Sequence, residues 1–580
     1  MPKRIGVFIC HCGANIATSV DVEKVVKEIS TYPGVAHAEN YIYMCSDPGQ
    51  DLIRKAIVEK RLDAVVNCNC SPSLHEKTFR TLVTSMGLNP YHCEIANIRE
   101  HCSWPHIHDR EMATKKAVSI IEMIVEKVRR NLALTPMVVP ITKRALVVGG
   151  GIAGMQAATD IAKGGYEVIL VERSPALGGH AQQLSGTFPS MELVQCMINP
   201  QVTEVMNHPK ITLYTSAEVE EVGGYVGNFK VKIKKGEAFI EEEVGTIVVA
   251  TGYDLYPKEK ITEYESDPDV IDGLQFEKIL SPSGPTRGEI RRPSDGKVPK
   301  EIVFIQCVGS RDPENHLPYC SRVCCMYTAK QAALYKKKVP DGQVYISYMD
   351  IRSDAKGCEE FIQELTEKER IIYLRGRVSR VFKEGDKIRV YGVDTLSGKM
   401  IDMKADLVVL ATAMVASSGA KDLSRKLNII SDEYGFMSEA HIKLRPVETL
   451  TAGIYLAGTA QAPRDITDTI SSASGAASKV LSLFSRKELL HEPEIAHVDE
   501  EVCSGCGLCV SICAYKAPEL DPKKRVARVN EALCEGCGAC ASLCPSGAMQ
   551  HKNFSNRQFF EMIEVAAGDY VELEKKEELS

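Results

Sequence analysis

The chain has 580 residues, 44% of them hydrophobic, enough for roughly three to five domains of ordinary size. Lysine and arginine number 70 against 77 aspartate and glutamate, a net charge of -7, which excludes a general nucleic-acid binder. No stretch approaches ~18 consecutive apolar residues, so no membrane insertion is expected, and Met1-Pro-Lys-Arg runs into a strand without a signal-peptide pattern. The 21 cysteines gather at short spacings rather than as a secreted disulfide framework, which points to a reducing, cytoplasmic setting.

Residues 1–132 read as a parallel α/β domain, because strands alternate with helices. Strands are expected at 4–10, 36–44 and 62–67, and helices at 22–30, 50–60 and 111–131. Cys10 and Cys12 follow the first strand, Cys45 the second, and Cys68 and Cys70 the third. Ligands gather at the carboxyl ends of parallel strands, so these thiols can meet, with Cys102 joining them and Cys93 nearby. An iron–sulfur cluster is the favoured reading; the alternative is a set of small buried hydrophobes, which free cysteine often is. His101, His106 and His108 read as surface or packing residues. Residues 133–142, with Pro136 and Pro140, read as a linker.

A second α/β region spans 143–486. It opens with a strand, the turn Gly149-x-Gly151-Ile152-Ala153-Gly154 and a helix start. Such glycines let a pyrophosphate approach the backbone at a helix N-terminus. The next strand ends at Glu172, placed to accept bonds from ribose hydroxyls. Glu172-Arg173 followed by Gly178-Gly179 resembles the first motif of two-dinucleotide-domain flavoproteins of the thioredoxin reductase class, which favours FAD over NAD. Strand 246–250 with Thr251-Gly252 looks like their strand returning to the FAD domain, and 453–457 with Gly458-Thr459 like their late FAD-contacting strand. Those flavoproteins carry Asp where Thr459 stands, so Asp465 is the candidate substitute for the ribityl contact.

In that class a second βαβ unit in mid-chain binds NAD(P)H. Here strand 301–306 is followed by Cys307, then Cys320, Cys324 and Cys325, without a glycine fingerprint. The chain from Cys320 onward reads helical, which sets Cys320 and Cys324 one turn apart near a helix N-terminus that lowers thiolate pKa values. Four thiolates suit one more cluster. A redox disulfide or buried structural cysteines are the alternatives. Cys196 and Cys358 default to structural roles.

Residues 491–552 hold the most specific pattern. Cys503, Cys506, Cys509 and Cys513, then Cys534, Cys537, Cys540 and Cys544, each repeat the bacterial ferredoxin run. The fourth cysteine of each run serves the other cluster, so Cys544 completes the first set and Cys513 the second. A zinc ribbon is the alternative, disfavoured because each run already offers four thiolates at ferredoxin spacing. The ferredoxin halves are the sole internal repeat read from the sequence. Residues 553–580 form a C-terminal extension whose last ten residues are expected to fray.

The whole pattern resembles the A-type component of heterodisulfide reductase, the flavin-carrying, electron-bifurcating iron–sulfur protein of methanogens and related anaerobes. The matches include Val7-Phe-Ile-Cys10-His-Cys12-Gly-Ala-Asn-Ile16, Cys45-Ser-Asp-Pro-Gly-Gln50 and Cys70-Ser-Pro-Ser-Leu-His-Glu-Lys-Thr-Phe-Arg80. They extend through Asn97-Ile-Arg-Glu-His-Cys-Ser-Trp104, Cys307-Val-Gly-Ser-Arg-Asp312, Cys320-Ser-Arg-Val-Cys-Cys325 and Tyr348-Met-Asp-Ile-Arg352. The resemblance implies a parallel α/β domain, a thioredoxin-reductase-like flavoprotein core and a two-cluster ferredoxin module. It implies FAD and [4Fe-4S] clusters, four with those read above, while the sequence itself offers no acid–base dyad. It also implies B- and C-type partner subunits, a hydrogenase or formate dehydrogenase acting through a small iron–sulfur protein, ferredoxin, and a homodimer within the complex. Electrons would divide between a heterodisulfide and ferredoxin; a flavin and cluster conduit without bifurcation is the alternative. Some members carry a further ferredoxin module in the flavin domain, whereas residues 253–300 here contain no cysteine.

Overall fold

The computed structural model describes residues 2–577, with side chains to residue 568. The chain divides into two units, one built from residues up to 139 together with those from 490 onward, the other from Pro140–Leu489. Among the described residues no helix is long and apolar enough to cross a membrane.

The first unit opens with a four-stranded parallel sheet, in the order β2 (Val35–Tyr41), β1 (Ile5–Cys10), β3 (Ala64–Asn69), β4 (Cys93–Asn97). β1 and β3 are buried along their whole length, as central strands covered on both faces must be. Helices α1 (Val22–Ile29), α2 (Asp47–Lys60), α3 (Pro72–Ser85) and α4 (Arg110–Arg130) supply that cover. Their starts follow from capping: Asp21, Ser46, Ser71 and Asp109 each accept a bond from a first-turn N–H, and Pro48 and Pro72 suit the opening turn. The sequence expectation differs at several boundaries, among them the start of α2 at Asp47 rather than at 50. β2 stops at Tyr41, because residues 42–46 turn; β3 runs on to Asn69; and α3 and β4 are additional elements. The segment read as a linker contains a short strand, Met137–Pro140.

The ferredoxin module belongs to the same unit. Ala496–Val498 pairs with Met549–His551, and Pro518–Leu520 with Ala527–Val529, both antiparallel. The module is tied to the α/β domain by polar contacts. Arg80 donates to Glu494 at 3.2 Å and Tyr91 to Glu492 at 2.7 Å, and from the C-terminal extension Gln558 donates to the Asn131 side chain at 2.9 Å. The C-terminal extension folds as helix Asn556–Glu577. Of the ten residues expected to fray, the last three lie outside the described residues and the others continue this helix.

The second unit contains the same frame twice. One parallel sheet runs Ile454–Leu456, Thr246–Val249, Arg144–Val148, Glu167–Glu172, Ile211–Thr215. The other runs Val270–Asp272, Leu407–Thr412, Glu301–Val308, Gln343–Tyr348, Ile372–Arg375. A three-stranded antiparallel sheet precedes the returning strand of each, over residues 217–244 and 378–405. Each parallel sheet separates two apolar cores.

The cysteine-free stretch before Glu301 is anchored by a buried charge. Arg292 donates to Asp269 at 2.7 and 3.2 Å, and Asp269 also accepts from the Ser294 hydroxyl at 2.6 Å. Asp269 is fully buried and Arg292 nearly so. Replacing Asp269 by Ala strips the guanidinium of its main partner and is expected to cost about 3 kcal/mol or more. A lowered urea midpoint checks this; an unchanged one refutes the anchoring role.

Candidate functional site

The glycine turn after Arg144–Val148 is fixed by close approach. Gly149 has φ +110°, and a Cβ there would stand 2.3 Å from the Ala250 carbonyl oxygen. A Cβ on Gly154 would stand 1.7 Å from the Gly149 oxygen. At Gly151, the cap of helix Ile152–Lys163, a Cβ would meet nothing within 4 Å. The turn is therefore tight behind and open in front, where a cavity of about 1280 Å³ lies. Gly149, Gly151, Ile152, Ala153, Glu172, Arg173, Gly179, Thr251, Gly252 and Asp465 line it. Gly154 and Gly458 serve from behind: a Cβ on Gly458 would press on Ala153 at 2.8 Å and Thr469 at 3.0 Å.

The polar lining fits a dinucleotide. The Thr251 hydroxyl is buried without a partner. Glu172 accepts from the Gly150 N–H at 2.6 Å and the Ser174 N–H at 2.7 Å, and a carboxylate so bonded keeps free lone pairs. Arg173, half exposed, donates to the backbone and hydroxyl of Ser418 at 3.1 Å each. Asp465 caps helix Ile466–Phe484 through the Asp468 N–H at 2.7 Å, and Thr459 lines the cavity beside it.

Two lining residues carry no local motif. Lys330 and Glu277 are almost fully buried and 2.7 Å apart. Lys330 also donates to the Gly186 carbonyl at 2.8 Å, and Glu277 accepts from the Ser185 N–H, the Ser185 hydroxyl and Gln331 at 2.8, 2.6 and 2.7 Å. Burial works against the Glu277 carboxylate, but Lys330 and the Ser185 donors outweigh it and hold its pKa below the ordinary range. His180, 4.4 Å from Tyr253 between ring centres, is pushed below the ordinary histidine range by burial.

The thiols of the second sheet do not line the cavity themselves, but two of them lie on a helix that does. Val148 pairs with Val249 in the first sheet, and Ile305 pairs with Leu410 in the second. Beyond Ile305 the register slips before Val308 pairs with Thr412, so Cys307 stands in an irregularity at the carboxyl end of this central strand, where Val148 leads directly into the glycine turn. Cys307 takes a left-handed φ of +60°. Cys324 and Cys325 open helix Cys324–Lys338, whose start and first turns show Val323, Tyr327, Lys330 and Gln331 to the cavity. Cys307, Cys324 and Cys325 pack together with Ala411. The phosphate cradle is absent from this turn, since residues 309–323 separate strand from helix.

Two expectations need correction here. The helix begins at Cys324, not Cys320; Cys320 lies in the preceding loop, where Arg322 is left-handed and its N–H donates to the Cys320 sulfur at 3.3 Å. Nor does the helix start lower every thiol. Hydrogen bonds to Cys307 and Cys325, with burial, raise Cys324 well above the ordinary range. The bond from Cys324 lowers Cys325, and the same kind of bond, with Arg311 beside it, brings Cys307 to about 7 against the effect of burial. Arg311 is fixed by Asp350 at 2.5 and 2.9 Å.

In the first unit, Cys10, Cys12, Cys45 and Cys70 reach one edge of the sheet. The Cys10 sulfur accepts from the Cys12 and Met44 N–H groups at 3.2 and 3.4 Å. Cys12 and Cys45 act electrostatically on Cys10, and Cys12 on Cys70. At this edge Asn69 is buried with both amide atoms unpartnered. Burial pushes the Cys70 thiol up to about 11. Cys102 is not brought to this group: its thiol donates to the Ala113 carbonyl at 3.0 Å within the core under α4. Cys93 accepts from Asn67 at 3.4 Å, and His106 meets Lys116 at 3.2 Å.

In the ferredoxin module, Gly507 and Gly538 take φ of +76° and +78° immediately before short helices. Cys503, Cys506, Cys509 and Cys544 surround one small cavity. Cys534, Cys513 and Cys537 all act electrostatically on Cys540. Among the described residues no three His, Cys, Asp or Glu side chains converge for a single ion. A cubane takes its thiolates at separate irons and needs no such convergence.

Comparison with known proteins adds the family to this geometry. Residues 502–548 match the family model of the 4Fe-4S dicluster domain, and residues 127–263 that of pyridine nucleotide-disulphide oxidoreductase. The chain is 41% identical over 600 residues to the second A-type iron–sulfur component of CoB–CoM heterodisulfide reductase from Methanopyrus kandleri, covering 90% of this chain and 92% of that one. It is 41% identical to the A-type component of the H(2):CoB-CoM heterodisulfide,ferredoxin reductase of Methanothermobacter marburgensis, covering 89% and 91%. It is 38% identical to the A-type component of the H(2)/formate:CoB-CoM heterodisulfide,ferredoxin reductase of Methanococcus maripaludis, covering 97% and 98%. The chain thus belongs to the family of A-type heterodisulfide reductase components, as an oxidoreductase that carries FAD and [4Fe-4S] clusters.

Proposed function

We propose that this chain divides electrons within a heterodisulfide-reducing complex. Reducing equivalents enter from a hydrogenase or formate dehydrogenase through a small iron–sulfur protein. One branch leads through B- and C-type subunits to a heterodisulfide such as CoM-S-S-CoB, the other to ferredoxin. Names of relatives that join hydrogen or formate to heterodisulfide and ferredoxin support this reading. One FAD, four [4Fe-4S] clusters, a homodimer and a cytoplasmic setting complete it.

The observation that carries the reading is sulfur in place of a phosphate cradle, on a helix that also walls the flavin cavity. Bound FAD supplies the exchange between two-electron and one-electron chemistry, and bound clusters the one-electron carriers. Gly149, Gly151 and the helix start at Ile152 receive the pyrophosphate, Gly154 and Gly458 let these elements close up, and Glu172 orders the turn. Thr251 and Asp465 offer polar groups to the remaining chain of the dinucleotide. Lys330 and Glu277 present a fixed, nearly buried charge pair at the wall. Cys307, Cys320, Cys324 and Cys325 hold the cluster beside the cavity, Cys10, Cys12, Cys45 and Cys70 the N-terminal one, and the eight ferredoxin cysteines two more.

Anaerobic redox titration tests the division of electrons directly. Crossed flavin potentials, with the second electron added more easily than the first, are expected; the ordinary order would leave a simple relay. Gly154→Ala is expected to give protein with little flavin, read by absorbance, because its methyl overlaps the Gly149 carbonyl. Cys324→Ser is expected to lose one cluster's spectrum, keep FAD and lose electron division; full turnover in that variant would refute the role of this cluster.

A further inference from the structure

A cation is built into the N-terminal thiol edge. Arg99 opens a single π-helical turn, Arg99–Ser103, a geometry frequent at functional sites. Its side chain is 15% exposed. Nη1 donates to the Cys12 sulfur at 3.2 Å. Nε and Nη2 donate to Glu100 Oε1 at 3.2 and 2.7 Å. The guanidinium carbon lies 4.9 Å from the ring centre of Trp104. The backbone N–H groups of Arg99 and Glu100 both donate to Asn97 Oδ1, at 3.3 and 3.1 Å. Every part of the clamp is therefore held.

A guanidinium stays charged at any working pH and only donates, so this bond persists when Cys12 is a thiolate ligand. Its partial burial keeps salt from screening it fully. A positive charge at a ligand sulfur favours the more negative, reduced state of a cluster. The ferredoxin sulfurs of Cys503 and Cys544 instead receive backbone N–H groups, from Ala527 and Met549, at 3.4 Å each. Those are dipoles rather than full charges. Glu100 works in the opposite sense: its carboxylate orients the guanidinium and offsets part of its charge.

We propose that Arg99 raises the reduction potential of the N-terminal cluster above those of the ferredoxin module, which assigns that cluster to the downhill branch. This rests on the reading that Cys10, Cys12, Cys45 and Cys70 hold a cluster. Arg99 is a positioning and tuning residue, acting through Cys12.

The test is EPR-monitored potentiometry of the anaerobic full chain with all cofactors loaded. Arg99→Met is expected to lower the reduced-to-oxidised ratio of this cluster about tenfold at fixed potential, a downward shift of about 59 mV for one electron. Arg99→Lys should recover part of the shift, because charge remains while the forked bond is lost. Glu100→Gln should shift the midpoint upward. Opposite shifts from two neighbouring residues are not produced by a merely structural role. An intact signal at an unmoved midpoint in Arg99→Met overturns the proposal, as does a downward shift in Glu100→Gln, which remains decisive if Arg99→Met does not assemble. If Cys12→Ser removes no iron, the cluster reading itself fails, and the two failures stay distinct.

Discussion

Parallel pairing sends the carboxyl ends of adjacent strands to one edge of a sheet, and each candidate cofactor site outside the ferredoxin module is built there. In the first unit this edge collects Cys10 from β1 and Cys70 from the end of β3, paired through Ile9 and Cys68. In the second unit the same constraint places Gly149, Glu172 and Thr251 together, and Cys307 next to Thr412. An antiparallel arrangement would scatter these residues to opposite edges. Helices then start at that edge, so their N–H groups and first side chains face whatever the strand ends present.

The duplicated frame of the second unit shows how little sequence such a frame requires. The two five-stranded sheets share strand order and the preceding three-stranded sheet. What differs is the turn after the central strand. In the first, residues 149–151 suffice, because a Cβ on Gly149 would stand 2.3 Å from the Ala250 oxygen and one on Gly154 1.7 Å from the Gly149 oxygen, so only glycine fits either place. In the second, a long loop and a left-handed Cys307 give room to sulfur. Burial of Lys330 with Glu277 adds no obvious stability, since apolar replacements of such pairs are often neutral or better. Its place in the cavity wall is better understood as a fixed local field next to the bound cofactor.

What can be read from the sequence is local. The ferredoxin runs and the Gly149–Gly154 turn announce themselves by spacing alone, because each site is assembled from a few consecutive turns. The second copy of the frame preserves hydrogen-bond register and burial rather than residues, so of its elements only the central strand at 301–306 is legible, through the resemblance to the two-dinucleotide-domain class. Glu277 and Lys330 escape such a reading for a similar reason: they lie on separate elements of that second frame and neither stands in a motif. Cys102 misleads because it neighbours Arg99 and Trp104 in sequence, yet within a π-helical turn its thiol faces the core. Cys320 reads as helical because the residues after it favour helix; the left-handed Arg322 delays the start to Cys324.

The surroundings of the sulfurs differ in kind. Cys12 is bonded to a largely buried arginine, and Arg311 with its Asp350 partner stands at Cys307. Cys503 meets a backbone N–H, and Cys544 a backbone N–H and the Ser546 hydroxyl, all of them neutral groups. Cluster potentials respond to net charge, hydrogen bonding and burial, all three of which the protein controls. Clusters of one chemical type can therefore be spread along a potential scale without any change of ligand. An electron pair divided at a flavin needs such a spread, because two equivalent exits would let both electrons take the same path. On the proposed division of electrons, the arginine-bonded thiols at strand ends and the dipole-bonded thiols of the ferredoxin module would supply that asymmetry from within a single chain.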